Sequence, residues 1–280
     1  MNADDLPTLR EELEAHELWA NKKLGQHFLL DMNITRRIAR IAGDLGGKTV
    51  IEVGPGPGGL TRALLEAGAR VIAIEKDARF VPLLEPLVAW SGGRLQIVQG
   101  DALAIDQAEF ADREAPTHII SNLPYNVGTE LLVRWLKAGA WRGPMTLMFQ
   151  KEVAQRIVAK PGSDAYGRLA VLAQARCEAR LEFTVPPRAF TPAPKVASAI
   201  VHLTDRADPY PHLDTLERVT AAAFGQRRKM LRSALRSLTP EAEVLLRAAD
   251  LEPTARAEEI DQAGFRRLAD AWLSAGAAAS

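Results

Sequence analysis

The segment Ser121-Asn122-Leu123-Pro124-Tyr125 combines residue types that could act together on an aromatic amine. The exocyclic nitrogen of adenine is a weak nucleophile, because its lone pair is delocalised into the ring. The Asn122 side-chain oxygen and the Leu123 carbonyl could each accept one amino hydrogen and aim that lone pair at a methyl donor. Pro124 stiffens the turn, and Tyr125 offers a face for base stacking, worth ~1–3 kcal/mol. Taken alone, the segment is equally well explained as a turn that closes a strand.

A glycine-rich loop, Gly54-Pro-Gly56-Pro-Gly58-Gly59, follows the apolar run Thr49 to Val53 and precedes a helical pattern. Glycines at such a place let the backbone approach a ligand and turn tightly into the helix. The spacing Gly54-x-Gly56-x-x-Gly59 is also that of a dinucleotide site. The loop alone therefore leaves NAD, S-adenosylmethionine and a purely structural turn open.

Two acidic residues end the next two strand-like runs, Glu75 after the second and Asp101 after the third. Glu75 could accept hydrogen bonds from the ribose hydroxyls of either ligand. Asp101 could accept one from an adenine amino group, although it would also serve as a helix N-cap. Because the carboxyl ends of neighbouring parallel strands meet at one edge of a sheet, these positions predict a single crevice.

The amine-binding segment follows the fourth strand-like run and would reach the same crevice. S-adenosylmethionine-dependent methylation of an adenine amine explains the segment, whereas an NAD-dependent oxidoreductase gives no reason for it. The sulfonium already activates the methyl group, so no metal is predicted. The five histidines show no His-x-x-x-His spacing, and the single cysteine, Cys177, excludes a disulfide framework or a thiolate zinc cluster.

The composition is that of a globular protein, with 280 residues, 47% hydrophobic and 25% charged. No apolar run approaches the ~18 residues of a membrane span, and the acidic first seventeen positions do not resemble a signal peptide. We therefore expect a cytoplasmic protein. The net charge of zero hides two basic clusters, Lys22-Lys23 and Arg227-Arg228-Lys229, the second followed by Arg232 and Arg236. Either cluster could bind phosphates, although for each alone a solvated helix face is the favoured interpretation.

Strand and helix patterns alternate through most of the chain, which predicts a parallel sheet with helices on both faces. The strand-like runs are 49–53, 70–74, 95–98, 117–120, 145–149, 181–185 and 199–203. A short Pro-rich connection joins the last two and predicts an antiparallel hairpin at the edge. We predict an α/β fold: a Rossmann-like class I S-adenosylmethionine methyltransferase sheet of seven strands, one antiparallel, with a small C-terminal all-helical domain. The expected domains are an acidic arm (1–19), a catalytic domain (20–205) and a helical domain (206–280), to which the family resemblance described below assigns RNA or ribosome binding.

Taken together, several stretches between residues 22 and 232 resemble one family, the bacterial small-subunit ribosomal RNA adenine N6,N6-dimethyltransferases (KsgA/RsmA). The sequence is also similar, more distantly, to erythromycin-resistance methylases and to eukaryotic and mitochondrial dimethyladenosine transferases. The matching stretches are Lys22–Asp31, Glu52–Gly56, Ile74-Glu75, Gly100–Ala102, Asn122–Tyr125, Phe149–Glu152, Val185–Val196 and Phe224–Leu231.

The resemblance implies dimethylation of two adjacent adenosines in the 3′-terminal hairpin loop of 16S ribosomal RNA, within the immature 30S subunit, by a monomer that uses S-adenosylmethionine. It implies cofactor contacts at His27, Leu29, Gly54, Gly56, Glu75, Asp101 and Asn122. It implies a base pocket of Asn122, Leu123, Pro124, Tyr125 and Phe190. It also implies phosphate contacts by Lys22, Lys23, Arg227, Arg228, Lys229 and Arg232.

The sequence departs from the family pattern at three places. His27 stands where asparagine is common, Ala197 stands where an acid is usual, and the acidic stretch 1–17 is not part of the pattern. Alternatives that stay open are a methyltransferase of large-subunit ribosomal RNA, a non-catalytic RNA-binding assembly or transcription factor on the same fold, and an NAD-dependent oxidoreductase.

Overall fold

The central element of the molecule is a sheet of seven strands. The structure, a computed structural model, describes residues 6–18, 27–226 and 228–278. The strands of the described residues are β1 (Phe28–Leu29), β2 (Thr49–Val53), β3 (Arg70–Glu75), β4 (Leu95–Gln99), β5 (Thr117–Asn122), β6 (Arg142–Gln150), β7 (Cys177–Val185), β8 (Phe190–Thr191) and β9 (Ser198–Asp205). All of them except β1 and β8 belong to the seven-stranded sheet. The order in the sheet is β4-β3-β2-β5-β6-β9-β7.

The sheet is parallel from β4 to β6, and β9 joins β6 in the antiparallel direction. Every residue of β2 is buried, as expected for a strand that is covered on both faces. The predicted fold class, a mostly parallel seven-stranded sheet with one antiparallel pairing, is confirmed.

Helices connect the strands at positions that capping residues and prolines define. They are α1 (Leu9–Ala15), α2 (Met32–Ile41), α3 (Gly59–Glu66), α4 (Val81–Ser91), α5 (Gly128–Lys137), α6 (Lys151–Ile157), α7 (Arg168–Arg176), α8 (Leu213–Gly225), α9 (Leu231–Ala234), α10 (Ala242–Ala248) and α11 (Gln262–Ala278). Asp31 caps α2 by accepting a hydrogen bond from the Asn33 N–H at 2.9 Å. A 3₁₀ turn, Ala78–Phe80, leads into α4, which begins at Val81 with Pro82 in its first turn, where a missing N–H breaks no hydrogen bond.

A small two-stranded sheet, which the sequence did not predict, lies beside the main one. β1 pairs with β8 in the antiparallel direction, with Phe28 opposite Thr191 and Leu29 opposite Phe190. The pairing attaches the Pro-rich connection between β7 and β9 to the segment that precedes α2.

The chain forms two compact units, Met1–Ala154 with Arg180–Thr204, and Gln155–Ala179 with Asp205–Ser280. The sequence patterns placed residues 155–179 in the catalytic domain, whereas their contacts group them with the helical residues. Tyr166 accounts for this grouping, because its fully buried hydroxyl donates to the Ile260 carbonyl at 2.9 Å. Its ring packs edge-on against Phe224, which stacks on Phe265 in the same unit.

In the described part of the chain, no helix has the length and apolar character needed to cross a membrane.

Candidate active site

A cavity of about 490 Å³ lies at the carboxyl ends of β2, β3, β4 and β5. Ten of the residues predicted as cofactor or base contacts line it: His27, Leu29, Gly54, Gly56, Glu75, Asp101, Asn122, Leu123, Pro124 and Tyr125. Parallel strands bring their carboxyl ends to one edge of the sheet, where α/β folds bind ligands. The structure therefore brings these residues together, while their individual roles stay predictions.

The glycine loop between β2 and α3 takes backbone conformations that other residues rarely adopt. Gly54, Gly56 and Gly58 have φ values of 69°, 53° and 86°. A Cβ on Gly56 would lie 3.3 Å from the ring of Phe28, so there is little space there for a side chain. The Gly54 N–H donates to the carbonyl of Ile74 at 2.9 Å, which holds the loop against β3. The loop thus presents bare backbone to the cavity.

Glu75, the last residue of β3, connects the glycine loop to the cavity wall. One carboxylate oxygen accepts from the Gly56 N–H at 3.1 Å, and the other accepts from the Asp77 N–H at 2.8 Å. The side chain is buried, and burial raises its pKa above the ordinary range. Each oxygen keeps further acceptor capacity for a hydroxyl of a ligand.

Asp101 follows β4 and begins a turn rather than a helix, so it is not the helix N-cap that the sequence also allowed. Its Oδ1 accepts from the Leu103 N–H at 2.9 Å, which makes a local turn. Its Oδ2 lies 2.7 Å from the Lys76 ammonium, and this hydrogen bond is the main reason that the pKa of Asp101 is lowered. The carboxylate is therefore ionised at neutral pH, lines the cavity and can accept from an amino group.

Asn122 is oriented by the segment that precedes α2. Its Nδ2 donates a long hydrogen bond, 3.5 Å, to the carbonyl of His27. With the amide nitrogen turned to that carbonyl, the Oδ1 atom is available as an acceptor. The next turn is fixed by Pro124, whose carbonyl accepts from the Val127 and Gly128 N–H groups at 3.2 and 3.1 Å.

Tyr125 is held from two sides. Its hydroxyl lies 2.7 Å from the hydroxyl of Ser198, a fully buried residue at the start of β9. Its ring lies against that of His27, with centroids 5.5 Å apart and planes tilted by 33°. Burial raises the pKa of Tyr125, so the phenol is neutral at physiological pH.

His27, the departure from the family pattern, is also fixed by a hydrogen bond. Its Nδ1 lies 2.9 Å from the carbonyl of Pro192. A carbonyl can only accept, so Nδ1 carries a proton, and Nε2 holds the lone pair when the ring is neutral. His27 thereby connects the cavity wall to the Pro-rich connection before β9.

Phe190, the predicted second stacking ring, does not line the cavity. It is 4% exposed and belongs to a hydrophobic cluster that also contains Leu29, Ile120 and Val185. The pairing of β8 with β1 buries it there. The ring could stack on a base in the cavity only after leaving this cluster.

The predicted phosphate contacts are described only in part. Lys22, Lys23 and Arg227 lie outside the described residues. Arg228 and Lys229 are exposed in the turn after α8, and Arg232 on α9 is exposed with its guanidinium 3.9 Å from Glu243. Pairs of this length between exposed groups contribute little, so Arg232 can exchange Glu243 for a phosphate.

Glu52 is a cavity residue that sequence reasoning did not select. It is 1% exposed, and its Oε2 accepts from the Thr61 hydroxyl at 2.7 Å. Burial raises its pKa to about 8, with a smaller contribution from the nearby charge of Glu75. A charged residue in the otherwise apolar strand β2 was the sequence signal for it. Ser198 and Lys76 were also missed, because only tertiary contacts bring them to Tyr125 and Asp101.

Among the described residues, no group of three or more His, Cys, Asp or Glu side chains could hold a metal ion. Cys177, the single cysteine, is fully buried.

Sequence comparison assigns the family of the chain. The family described as "Ribosomal RNA adenine dimethylase" matches residues 18–272. The chain belongs to this family. The family predicted from the sequence is thereby confirmed, and the protein is a ribosomal RNA adenine dimethyltransferase.

Curated relatives of this dimethylase share its full length. "Ribosomal RNA small subunit methyltransferase A" of Phenylobacterium zucineum (strain HLK1) is 62% identical over 277 residues, 98% of this chain and 95% of the relative. The protein of the same name from Paracoccus denitrificans (strain Pd 1222) is 60% identical over 272 residues, 95% and 96% of the two chains.

Solved structures share the fold of the dimethylase. A dimethyladenosine transferase from Plasmodium falciparum superposes with a TM-score of 0.77 at 23% identity, over 89% of this chain and 98% of that one. The 23S rRNA methyltransferase ErmE superposes with a TM-score of 0.66 at 25% identity, over 88% and 99% of the two chains. The first of these likenesses concerns the fold alone.

Proposed function

We propose that this dimethylase converts the N6 amines of two adjacent adenosines in the 3′-terminal hairpin loop of 16S ribosomal RNA to dimethylamines. The substrate is the immature 30S subunit, and the product contributes to small-subunit biogenesis. The enzyme works as a monomer in the cytoplasm, with S-adenosylmethionine as its cofactor. Loop adenosines suit this chemistry because they can be unstacked and turned outwards.

The observation that carries the site assignment is the convergence of Glu75, Asp101 and Asn122 on the cavity beside the glycine loop. The residues fit the cofactor chemically. Glu75 offers carboxylate oxygens to ribose hydroxyls, Asp101 offers an ionised carboxylate to an adenine amino group, and bare backbone at Gly54 and Gly56 permits close approach. His27, Leu29 and Asn122 complete the proposed cofactor contacts.

S-adenosylmethionine supplies an electrophilic methyl group when bound. The work of the protein is to hold the weakly nucleophilic amine. Asn122 Oδ1 accepts one amino hydrogen and the Leu123 carbonyl accepts the other, which turns the nitrogen lone pair towards the methyl group. Pro124 keeps this turn rigid, and the neutral ring of Tyr125 stacks on the base.

The second methyl transfer to the same nitrogen needs fewer hydrogen-bond acceptors. A monomethylated amine has one hydrogen left, so one acceptor is sufficient, and the released proton passes to solvent. Phe190 forms the opposite face of the base pocket once its ring leaves the cluster around Leu29. The assignment of Phe190 therefore depends on movement of the Pro-rich connection.

Exposed cations on the helical unit contact the phosphates of the subunit. Arg228, Lys229 and Arg232 are the described members of this set. We assign Lys22, Lys23 and Arg227 to the same role from the sequence. Phosphate contacts fix the register of a protein on nucleic acid but do not read bases.

Transfer of label tests the proposal. The protein is incubated with methyl-labelled S-adenosylmethionine and immature small subunits from a strain that lacks the activity, and nucleosides are separated after digestion. We expect labelled N6,N6-dimethyladenosine at two adjacent positions of the 3′-terminal hairpin. Label in large-subunit RNA would overturn the substrate, and an absence of transfer would overturn the activity.

The role of Asn122 is tested by Asn122→Ala. We expect methyl transfer to fall by at least ~100-fold, since the loss of one aligned hydrogen-bonding group typically has this effect. Cofactor affinity measured by calorimetry should fall far less, because the other proposed cofactor contacts remain. Asn33→Ala, the same change at an exposed position of α2, is the control and should behave as wild type. Turnover that survives in Asn122→Ala would show that Asn122 does not orient the amine.

A further inference from the structure

Residues 9–15 of the acidic N-terminal stretch, which is not part of the family pattern, form a helix within the first compact unit. Thr8 and Glu11 form a capping box at the start of α1, with the Thr8 N–H donating to Glu11 at 2.8 Å. The acidic side chains Glu11, Glu14 and Glu17 are exposed, whereas Leu9 and Leu13 are buried. We name residues 6–18 the arm.

Leu13 of the arm supports a wall of the cavity. It forms a hydrophobic cluster with Phe28, Phe80 and Leu83, in which the two phenyl rings meet edge-on with centroids 5.1 Å apart. Phe28 lines the cavity on its other side, and its ring lies 3.3 Å from the position of a Cβ on Gly56. The arm therefore packs against the glycine loop indirectly, through the ring of Phe28.

Arg62 of α3 provides a second attachment. Its side chain is buried, and the guanidinium donates to the carbonyls of Pro7 at 3.1 Å and Leu6 at 3.2 Å. A buried cation needs such acceptors, because an unpaired charge away from water is costly. The Arg62 N–H also donates to the Gly58 carbonyl at 2.8 Å, so the same residue contacts both the arm and the glycine loop.

Leu9 provides a third attachment, directly at the loop. A Cβ on Gly59 would lie 2.8 Å from the Leu9 Cδ1 and 2.7 Å from the Leu29 carbonyl oxygen. The first residue of α3 is thus enclosed between β1 and the arm. These three attachments involve different residues of the arm and reach the same loop.

We propose that the arm is a positioning element for the cofactor: it holds the glycine loop and Phe28 in the conformation that binds S-adenosylmethionine. The inference rests on the cofactor site proposed above. Leu9, Leu13 and Arg62 touch no reacting atom and act through the loop. The effect must also act in the other direction. If the packed arm favours the binding conformation of the loop, a ligand that binds this conformation must favour packing of the arm against the loop.

Calorimetry with S-adenosylhomocysteine tests the effect on affinity. Leu13→Ala, and a protein that lacks residues 1–18, should bind with a Kd raised roughly five- to fiftyfold, in the range of typical coupling between sites. At saturating S-adenosylmethionine the kcat of Leu13→Ala should stay within about twofold of wild type. Glu14→Ala, on the exposed face of the same helix, is the matched control and should change neither quantity.

Hydrogen exchange gives a second readout on the unaltered protein. Saturating S-adenosylhomocysteine should slow the exchange of amides in residues 9–15, because the docked state is favoured. The proposal would be overturned if both Leu13→Ala and the truncated protein bound the ligand with wild-type affinity. It would also be overturned if the ligand did not change the rate of amide exchange in the arm. Failure of the wild-type protein to bind the ligand would instead overturn the cofactor site. If the truncated protein does not fold, Arg62→Lys replaces it, with a raised Kd expected.

Discussion

The hydroxyl–hydroxyl contact between Tyr125 and Ser198 shows how a stacking ring can be held at a fixed position. The 2.7 Å hydrogen bond joins the proposed base pocket to a fully buried position on β9. Rotation about the Cα–Cβ bond of Tyr125 would move its hydroxyl away from Ser198 and break this bond. Ser198 therefore holds the Tyr125 hydroxyl in place, and we expect it to act on the base through that ring.

A double-mutant cycle tests this hydrogen bond. Ser198→Ala and Tyr125→Phe should each lower kcat roughly tenfold, since small errors in alignment are costly in catalysis, with little change in the KM for cofactor. The double variant should be no slower than either single variant, because each removes the same bond. Ser198→Thr, which keeps the hydroxyl, should restore much of the rate. Additive losses in the cycle would argue that the two residues act independently.

Glu52 is the other residue with a consequence that can be measured. Its pKa in the folded protein, about 8, lies above the ordinary value of 4.5. Between these values the folded state binds more protons than the unfolded state, so stability falls as the pH rises through this window and is constant above it. Glu75 adds a contribution in the same direction.

Glu52→Gln should remove most of this pH dependence. The variant and wild type should have similar free energies of unfolding near pH 4.5, and the variant should become more stable by a few kcal/mol at pH 9, at about 1.4 kcal/mol per pKa unit. Denaturant titrations at several pH values measure the difference. Glu114→Gln, at an exposed position, should track wild type, and a constant offset across the window would contradict the assigned protonation.

At the scale of elements, the conformation of the glycine loop requires residues without a Cβ. Gly56 combines a φ of 53° with a ring 3.3 Å from the absent Cβ, and its N–H donates to Glu75. A side chain there would meet both the left-handed backbone penalty, about 1–2 kcal/mol, and the Phe28 ring. A shift of the loop that relieves this contact would move the N–H of residue 56 away from the Glu75 carboxylate, which is proposed to bind the ribose.

Gly56→Ala should therefore weaken S-adenosylhomocysteine binding by at least about tenfold, which corresponds to ~1.4 kcal/mol. Calorimetry measures the affinity, and circular dichroism checks that the fold is retained. Gly139→Ala, where no atom lies within 4 Å of the new Cβ and φ is not positive, is the control. Equal affinities of the two variants would show that the backbone at Gly56 does not approach the ligand.

At the scale of the whole molecule, the two compact units carry different parts of the proposed function. All the residues that line the cavity belong to the first unit, and the basic turn after α8 belongs to the second. The start of α9, which follows this turn, is held within the second unit, because the Leu231 and Arg232 N–H groups donate to the carbonyls of Ala255 and Pro253.

Replacing Arg227, Arg228 and Lys229 together by alanine should weaken binding to immature small subunits and leave cofactor affinity unchanged. The dependence of log affinity on log salt should become shallower by about one for each phosphate that the variant no longer neutralises. Filter binding at several salt concentrations measures the slope. Arg10→Ala with Arg40→Ala, two exposed arginines of the first unit, is the control, and an unchanged slope in the triple variant would exclude binding of phosphates by these residues.

The sequence by itself determined the fold class, the family and ten of the residues at the cavity. Strand periodicity is local, and the carboxyl ends of parallel strands must meet, so Glu75, Asp101 and Asn122 could be placed together without coordinates. The role of the glycine loop could also be predicted, because glycines are typical of positions whose backbone angles few other residues adopt.

Only the tertiary structure decided which groups hold Tyr125 and His27 in place. Ser198 lies 73 positions from Tyr125, and Pro192 lies 165 positions from His27, distances in sequence that no local pattern spans. The pairing of β8 with β1 buries Phe190, which we had predicted to lie beside the base. The sequence did not predict this pairing, because a two-residue strand is too short to show a periodic pattern. The grouping of residues 155–179 with the helical unit likewise depended on the packing of the buried Tyr166 ring, which joins segments that are distant in sequence.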